Sequence, residues 1–367
     1  MGCLLWLLFL SVLRSIWMNN EGHRMVDKVK VGIAGLGRSG WGNHAEAFER
    51  LKDKFEVAAA FDPLGDRRQQ AVERFGCKAY ADFDSLIHDS DIELVVVATP
   101  SYLHATQSIK ALKAAKGVVC EKPMAMNLAE ADNMIKTAKE TGSLLTVFQN
   151  RRYENDFQKV MEIIHSGKLG RVFLIKICNH SFGRRWDWQT LRRFGGGELL
   201  NNGPHVIDQA LQLLGPATPK IFCDMQRTLT LGDAEDHIKI VLKAPDSPIV
   251  DLELTRGCAY PRDRWLVMGT QGGLVGTTSS LMWKYFNSDE LPRREVETEP
   301  TPNRSYNWEE IPWKEEVWEG EAEYIKLVMA FYEDLYETLR HGKPLRITPE
   351  SARRVMWLIE QCTKQVD

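Results

Sequence analysis

At 367 residues the chain is too long for one compact core and predicts two domains. With 47 Lys and Arg against 50 Asp and Glu, its net charge of −3 argues against a nucleic-acid or anionic-membrane partner. Seven scattered cysteines without a C-x-x-C pair read as reduced thiols, and nine histidines without H-E-x-x-H spacing imply no metal.

The chain begins with an apolar run, C-L-L-W-L-L-F-L-S-V-L over residues 3–13, shorter than a bilayer span. No positive charge precedes it and no A-x-A-like cleavage site follows. Residues 1–27 are therefore read as an extension outside the fold: a leader, or a start assigned too far upstream of Met18 or Met25. The competing reading is export or tethering through residues 1–17. The expectation is a cytoplasmic protein without stable membrane association.

From 28 to 150 strands and helices alternate, the pattern of an α/β Rossmann domain, a doubly wound parallel sheet. Strands are expected over 29–34, 55–61, 77–80, 94–98, 118–120 and 144–148, with helices between them. The first strand runs into G-L-G-R-S-G, residues Gly35, Leu36, Gly37, Arg38, Ser39 and Gly40, and a helix is expected over 44–51. Glycines at these positions permit a tight turn, approach of the backbone to a pyrophosphate, and close helix–strand contact. Asp62 closes the second strand, about 20 residues on, where a carboxylate accepts hydrogen bonds from a ribose diol. NAD is thus favoured over NADP, a preference that Arg67 and Arg68 soften.

From 151 to 367 the pattern becomes α+β: a helix over 157–166, strand-like runs between 171 and 277, and closing helices over 321–341 and 348–366. Sequential strands with short turns predict a large, mostly antiparallel open sheet. Residues 288–320 read as a long loop pinned by Trp308, Trp313 and Trp318.

Two stretches carry candidate chemistry. Glu121-Lys122-Pro123 follows a parallel strand at its carboxyl end, where open α/β sheets place ligands. A lysine there can polarise a hydroxyl and hold a developing alkoxide. The second is G-G-G-E-L-L-N-N-G-P-H-V-I-D, residues 195–208. Pro204 suits a first helical turn. His205 and Asp208, three apart, share a helix face, so the aspartate could orient an imidazole that titrates where a general base must. Ahead of it stands R-R-W-D-W, with Trp186 and Asp187. It reads equally as a sugar-stacking mouth of the site or as a structural loop with buried indoles.

G-L-G-R-S-G, A-T-P-S-Y-L-H, E-K-P and the glycine–histidine–aspartate segment together resemble the Gfo/Idh/MocA family of NAD(P)-dependent oxidoreductases of sugars, polyols and inositols. The resemblance implies Lys122 and His205 as the catalytic pair. It also implies Thr99, Pro100, His104, Glu121 and Asn150 beside the nicotinamide. Asn201, Asp208, Trp186, Asp187 and Arg152 are the candidate substrate-binding residues. A carbohydrate substrate and a homo-oligomer, dimer or tetramer, through the C-terminal sheet are also implied. Where inositol dehydrogenase-like members carry an aspartate, this chain has Asn201, which cannot share a proton. His205 must then act with Lys122 alone or with Asp208 or Asp187.

The expected function is oxidation of a secondary hydroxyl of a sugar, sugar acid, polyol or glycoside, or the reverse. The alternatives are an enzyme that retains NAD while cleaving glycosides by oxidation and elimination, and a non-catalytic ligand sensor.

Overall fold

The computed structural model describes residues 28–321 and 323–366. The expectations for residues 1–27 lie outside them. Six short runs rich in Val, Ala and Ile form one parallel sheet: β1 (Val29–Ala34), β2 (Phe55–Phe61), β3 (Lys78–Tyr80), β4 (Leu94–Val97), β5 (Gly117–Cys120) and β6 (Leu145–Val147). Their order is β3-β2-β1-β4-β5-β6, so the strand order reverses between β1 and β4. Both faces of the central strands are buried, which is why those strands read as unbroken apolar runs. The connecting helices are α1 (Glu46–Arg50), α2 (Gly65–Phe75), α3 (Phe83–Ile87), α4 (His104–Lys113) and α5 (Leu128–Thr141). The first helical turn begins at Arg38, earlier than the expected residue 44, and runs into a wide π-type segment over Gly40–Ala45 ahead of α1. Asn127 caps α5 by accepting from Glu130 N at 2.9 Å.

After a short turn at Asn150–Tyr153 come α6 (Asn155–His165), α7 (Glu198–Asn201) and α8 (Gly203–Leu214). The second sheet contains β7 (Val172–His180), β8 (Lys220–Gln226), β9 (His237–Lys243), β10 (Ile249–Thr255) and β11 (Trp265–Gly269). It is completed by β12 (Gly272–Gly276), β13 (Ser280–Tyr285) and β14 (Lys314–Glu319), in the order β14-β13-β12-β11-β7-β10-β9-β8. All its pairings are antiparallel except β7 with β10. One face carries Ile175, Ile177, Ile240, Leu252, Trp265 and Leu281 into the core, and the other stays open with Phe222, Met282 and Val317 exposed.

Two departures from the sequence pattern stand out. Residues 288–320 are not a loop pinned by three indoles: their last part is β14, paired with β13 from Tyr285↔Lys314 to Ser280↔Glu319. Trp318 packs on the core and Trp313 meets Phe286 edge-on at 5.7 Å, but Trp308 is 88% exposed and anchors nothing. The closing helices are α9 (Tyr324–His341) and α10 (Pro349–Val366). α9 packs on the first sheet rather than among the elements of 151–367: Val328, Phe331, Tyr332 and Leu335 join Val29, Phe48, Phe55 and Phe148 in one core. Its i, i+3, i+4, i+7 stripe of large apolar residues packs beside α1 on one face of the first sheet. α10 lies with α5, α8 and β8, and a continuous core runs from the other face of the first sheet into the second.

Candidate active site

The carboxyl ends of β1, β4 and β5 converge at the point where the strand order reverses. Gly35 has φ +94°, and a Cβ there would lie 2.7 Å from the Ala98 carbonyl, so only glycine fits between β1 and β4. A Cβ on Gly40 would lie 1.8 Å from the Gly35 carbonyl, which fixes the helix start against the turn. Gly37 is different: its face is open, with only the Arg67 side chain at 4.0 Å. Arg38, at the start of the helix, is exposed. Asp62, 2% exposed, accepts from Leu36 N and Leu64 N, each at 2.9 Å, and stands 3.4 Å from Arg67 Nη1. Arg68 donates to the carbonyls of Asp62 and Pro63. The open backbone at Gly37, the helix start and the carboxylate at the end of β2 fit the pyrophosphate and ribose of a dinucleotide.

Glu121, at the end of β5, fastens this loop. Its carboxylate accepts from the Ser39 hydroxyl, from Lys122 N at 3.0 Å, and lies 3.1 Å from His44 Nε2. Burial alone would raise its pKa, but the His44 hydrogen bond and charge, with Lys122 and Ser39, hold it down to about 2. The second nitrogen of His44 lies 2.7 Å from the Tyr332 hydroxyl of α9. His44 is fully buried and was not anticipated; its position four residues past Gly40, on the inner side of the helix, was the available signal.

Three residues expected beside the nicotinamide are also engaged within the protein. His104 is buried, with Nδ1 2.7 Å from the Pro123 carbonyl and Nε2 2.8 Å from the Thr99 carbonyl. It ties the turns after β4 and β5 together instead of facing a ligand. The Thr99 hydroxyl donates to Gln107 Oε1 at 2.5 Å, while Pro100 next to it is exposed. Asn150 is fully buried and donates to the Tyr324 hydroxyl at 3.0 Å, leaving its Oδ1 without a partner among the described residues.

Lys122 and the α7–α8 segment come together. Lys122 Nζ donates to the main-chain carbonyl of Asn201 at 2.9 Å, and His205 follows Asn201 by one helical turn. Burial pushes the Lys122 ammonium pKa down; Glu121 opposes this, and Arg151 and Arg38 add to it. His205 is 5% exposed, and its Nδ1 has no hydrogen-bond partner among the described residues. Burial first, then the charges of Lys122, Arg151 and Arg264, hold the imidazole well below its ordinary range, so it is neutral at pH 7. The Gly195–Gly197 run allows this placement: Cβ atoms would meet Met126 Sδ at Gly195, the Gln189 carbonyl at Gly196 and the Glu235 carboxylate at Gly197. Glu198 is bound by Arg256 Nε and Asn202 Nδ2, each at 2.7 Å.

Asp208 does not orient His205. Both its oxygens are 2.6 Å from the Arg152 guanidinium, in a buried pair that also takes in Ser351. The two residues expected to bind substrate thus satisfy each other and pin α8 to the turn at Asn150–Tyr153. Asp187 is likewise occupied, accepting two bonds from Arg185 and one from Gln189 N. Trp186 is 75% exposed, which excludes the buried-indole reading. Arg151 and Arg264, missed in the sequence, act on His205 electrostatically, and Glu154 and Gln209, also missed, link the two arginines. Gln209 sits one turn beyond His205 on α8, a spacing that could have found it.

Comparison with known proteins agrees with this geometry. The NAD-binding Rossmann fold of the GFO/IDH/MocA oxidoreductase family matches residues 29–149, and the C-terminal domain of that family matches residues 157–275. An oxidoreductase of Schizosaccharomyces pombe, C115.03, is 33% identical over 67% of this chain and 70% of its own length. The scyllo-inositol 2-dehydrogenase (NADP(+)) IolW of Bacillus subtilis is 32% identical over 53% of this chain and 54% of its own. The crystal structure of an NAD-binding protein from Listeria innocua superposes with a TM-score of 0.76 at 23% identity, covering 93% of this chain and 98% of that one, a likeness of fold.

Proposed function

The chain belongs to the GFO/IDH/MocA family of oxidoreductases, with its NAD-binding Rossmann domain, and from that premise we propose that it oxidises a secondary hydroxyl of a carbohydrate or cyclitol, or runs the reverse reduction, with bound nicotinamide supplying the hydride chemistry. The observation that carries this reading is the meeting of Lys122 with the Asn201–His205 turn at the carboxyl ends of β4 and β5. The neutral His205 imidazole takes the hydroxyl proton, and the Lys122 ammonium, drawn off the Asn201 carbonyl, stabilises the alkoxide. The Asn201 side-chain amide, which makes no hydrogen bond of its own among the described residues, is free to hold a neighbouring hydroxyl. Asp62 supports NAD as the cofactor, since a 2′-phosphate would meet its carboxylate. The NADP(+) in the name of the Bacillus relative and the nearness of Arg67 weigh on the other side.

The cofactor-binding assignments of Gly35 to Gly40, Asp62, Thr99 and Asn150 are part of this proposal, as is pairing of two copies through the open face of the second sheet. The exposed Phe222, Met282 and Val317 on that face support the pairing.

The test is mutational. Lys122→Ala and His205→Ala should each lower turnover by about a hundredfold or more, the usual loss for a positioned acid or base. Both should still bind NAD, as read by quenching of tryptophan fluorescence. Near wild-type rates in either variant would refute the assignment.

A further inference from the structure

We propose that the substrate carries an anionic group, a carboxylate or a phosphate, received by Arg264 and Arg151 beside His205. The inference rests on the dehydrogenase reading and names the substrate class that this site accepts. Around His205 the chain gathers three cations, Lys122, Arg151 and Arg264. The carboxylates that could balance them are already committed. Asp208 is held by Arg152, Glu198 by Arg256 and Asn202, and Glu121 by Ser39 and His44. Among the described residues two carboxylates remain: Glu154, 3.5 Å from Arg151 Nε and 3.9 Å from Arg264 Nη2, one of whose oxygens already accepts from Gln209 at 2.8 Å, and buried Asp156, which acts on Arg264 through space and accepts from Trp265 Nε1 at 2.7 Å. At residue 201, beside the Lys122 ammonium, stands an amide rather than a carboxylate.

Arg264 supplies the second observation. It is 8% exposed, and its Nη2 donates to Gln209 Oε1 at 2.8 Å, one turn along α8 from His205. Its Nε is buried with no hydrogen-bond partner among the described residues. A buried guanidinium with an unused donor is costly unless an acceptor arrives, and a carboxylate or phosphate is the acceptor its planar fork matches. His205 Nδ1 is likewise buried without a hydrogen-bond partner among the described residues. An oxidised nicotinamide, when bound at this site, would add one more positive charge. An anionic substrate would offset this excess, and a neutral sugar would leave it in place.

The experiment compares a neutral hexose, the matching hexuronate and the matching hexose phosphate on the full chain with NAD. Binding of the same three compounds to the protein loaded with reduced cofactor is measured in parallel by calorimetry. The hexuronate or the phosphate should be preferred over the hexose by about tenfold or more, and whichever of them leads identifies the anion. Arg264→Gln should cut that preference by about ten- to a hundredfold, the loss expected for a charge-assisted hydrogen bond. Arg151→Gln, at a half-exposed position, should also lower it, and remains informative if the buried variant fails to fold. A neutral hexose bound and oxidised as well as its acid would overturn the inference. Variants that keep the full preference would do the same. If none of the three yields NADH, the dehydrogenase reading is what fails, and the calorimetric preference still decides the question of the anion.

Discussion

Two groups at the site have ionisation displaced in the same direction, and the displacement sets a pH profile. His205 is held well below 6.5 by burial and neighbouring cations, and Lys122 is held below 10.5 mainly by burial. Oxidation needs the imidazole unprotonated and the ammonium protonated. Its kcat/KM should therefore fall only when acid protonates His205, well under pH 6.5, and should fall again in alkali before pH 10.5. Lys122→Arg should push the alkaline limb upward in whatever activity remains, because a guanidinium keeps its proton. An acid limb centred at or above 6.5 would contradict the assignment of the base. At this scale the sequence was informative where chemistry is local. The tight turn at Gly35 and Gly40, the place of Asp62 at the end of β2 and that of Lys122 just after β5 could be read from the sequence. The fate of Asp208 could not: its i, i+3 spacing from His205 was correct, but Arg152, 56 residues earlier, takes both oxygens. Nothing local announces a long-range partner.

Among the elements, α8 is the one whose placement matters most, because it carries His205. The buried Arg152–Asp208 pair holds it against the turn that leaves the first sheet. Removing one partner leaves an uncompensated buried charge, so Arg152→Met should destabilise the fold by about 3–5 kcal/mol. The double variant Arg152→Met with Asp208→Leu should lose less than that single one, since no isolated charge remains. Denaturant titration of these two proteins and of the single Asp208→Leu variant checks both, and additive losses would show that the pair is not what seats the helix. The parallel strands were legible as apolar runs. β14 was not, because K-E-E-V-W-E is an edge strand that sends only Trp318 to the core and displays its charges outward. β13 was missed for a related reason: S-L-M-W-K-Y alternates correctly, but the proline-rich stretch after it blurred the hairpin-like pairing.

The molecule as a whole is built so that sequence order and spatial grouping disagree near its end. α9 returns to the first sheet and puts Tyr332 against Phe48, Phe55 and the buried His44, so this late helix buttresses the segment that follows the Gly35–Gly40 turn. A boundary at residue 150 marks where the first sheet ends but not everything that packs on it. Periodicity reveals that α9 is amphipathic without revealing which sheet its stripe will meet, and that is why its home was not legible. The site in turn belongs to both halves, with Glu121 and Lys122 from the first and Asn201, His205 and Arg264 from the second. The proposed reaction passes hydrogen from a substrate carbon to the nicotinamide. The direct measurement is turnover of sugars, sugar acids and cyclitols deuterated at the carbinol carbons, with the cofactor recovered and weighed by mass spectrometry. NADH should accumulate in step with product, and each molecule should carry one deuterium. Substrate consumed with no net NADH and no label in the cofactor, or no consumption of any compound by NAD-loaded protein, would contradict it.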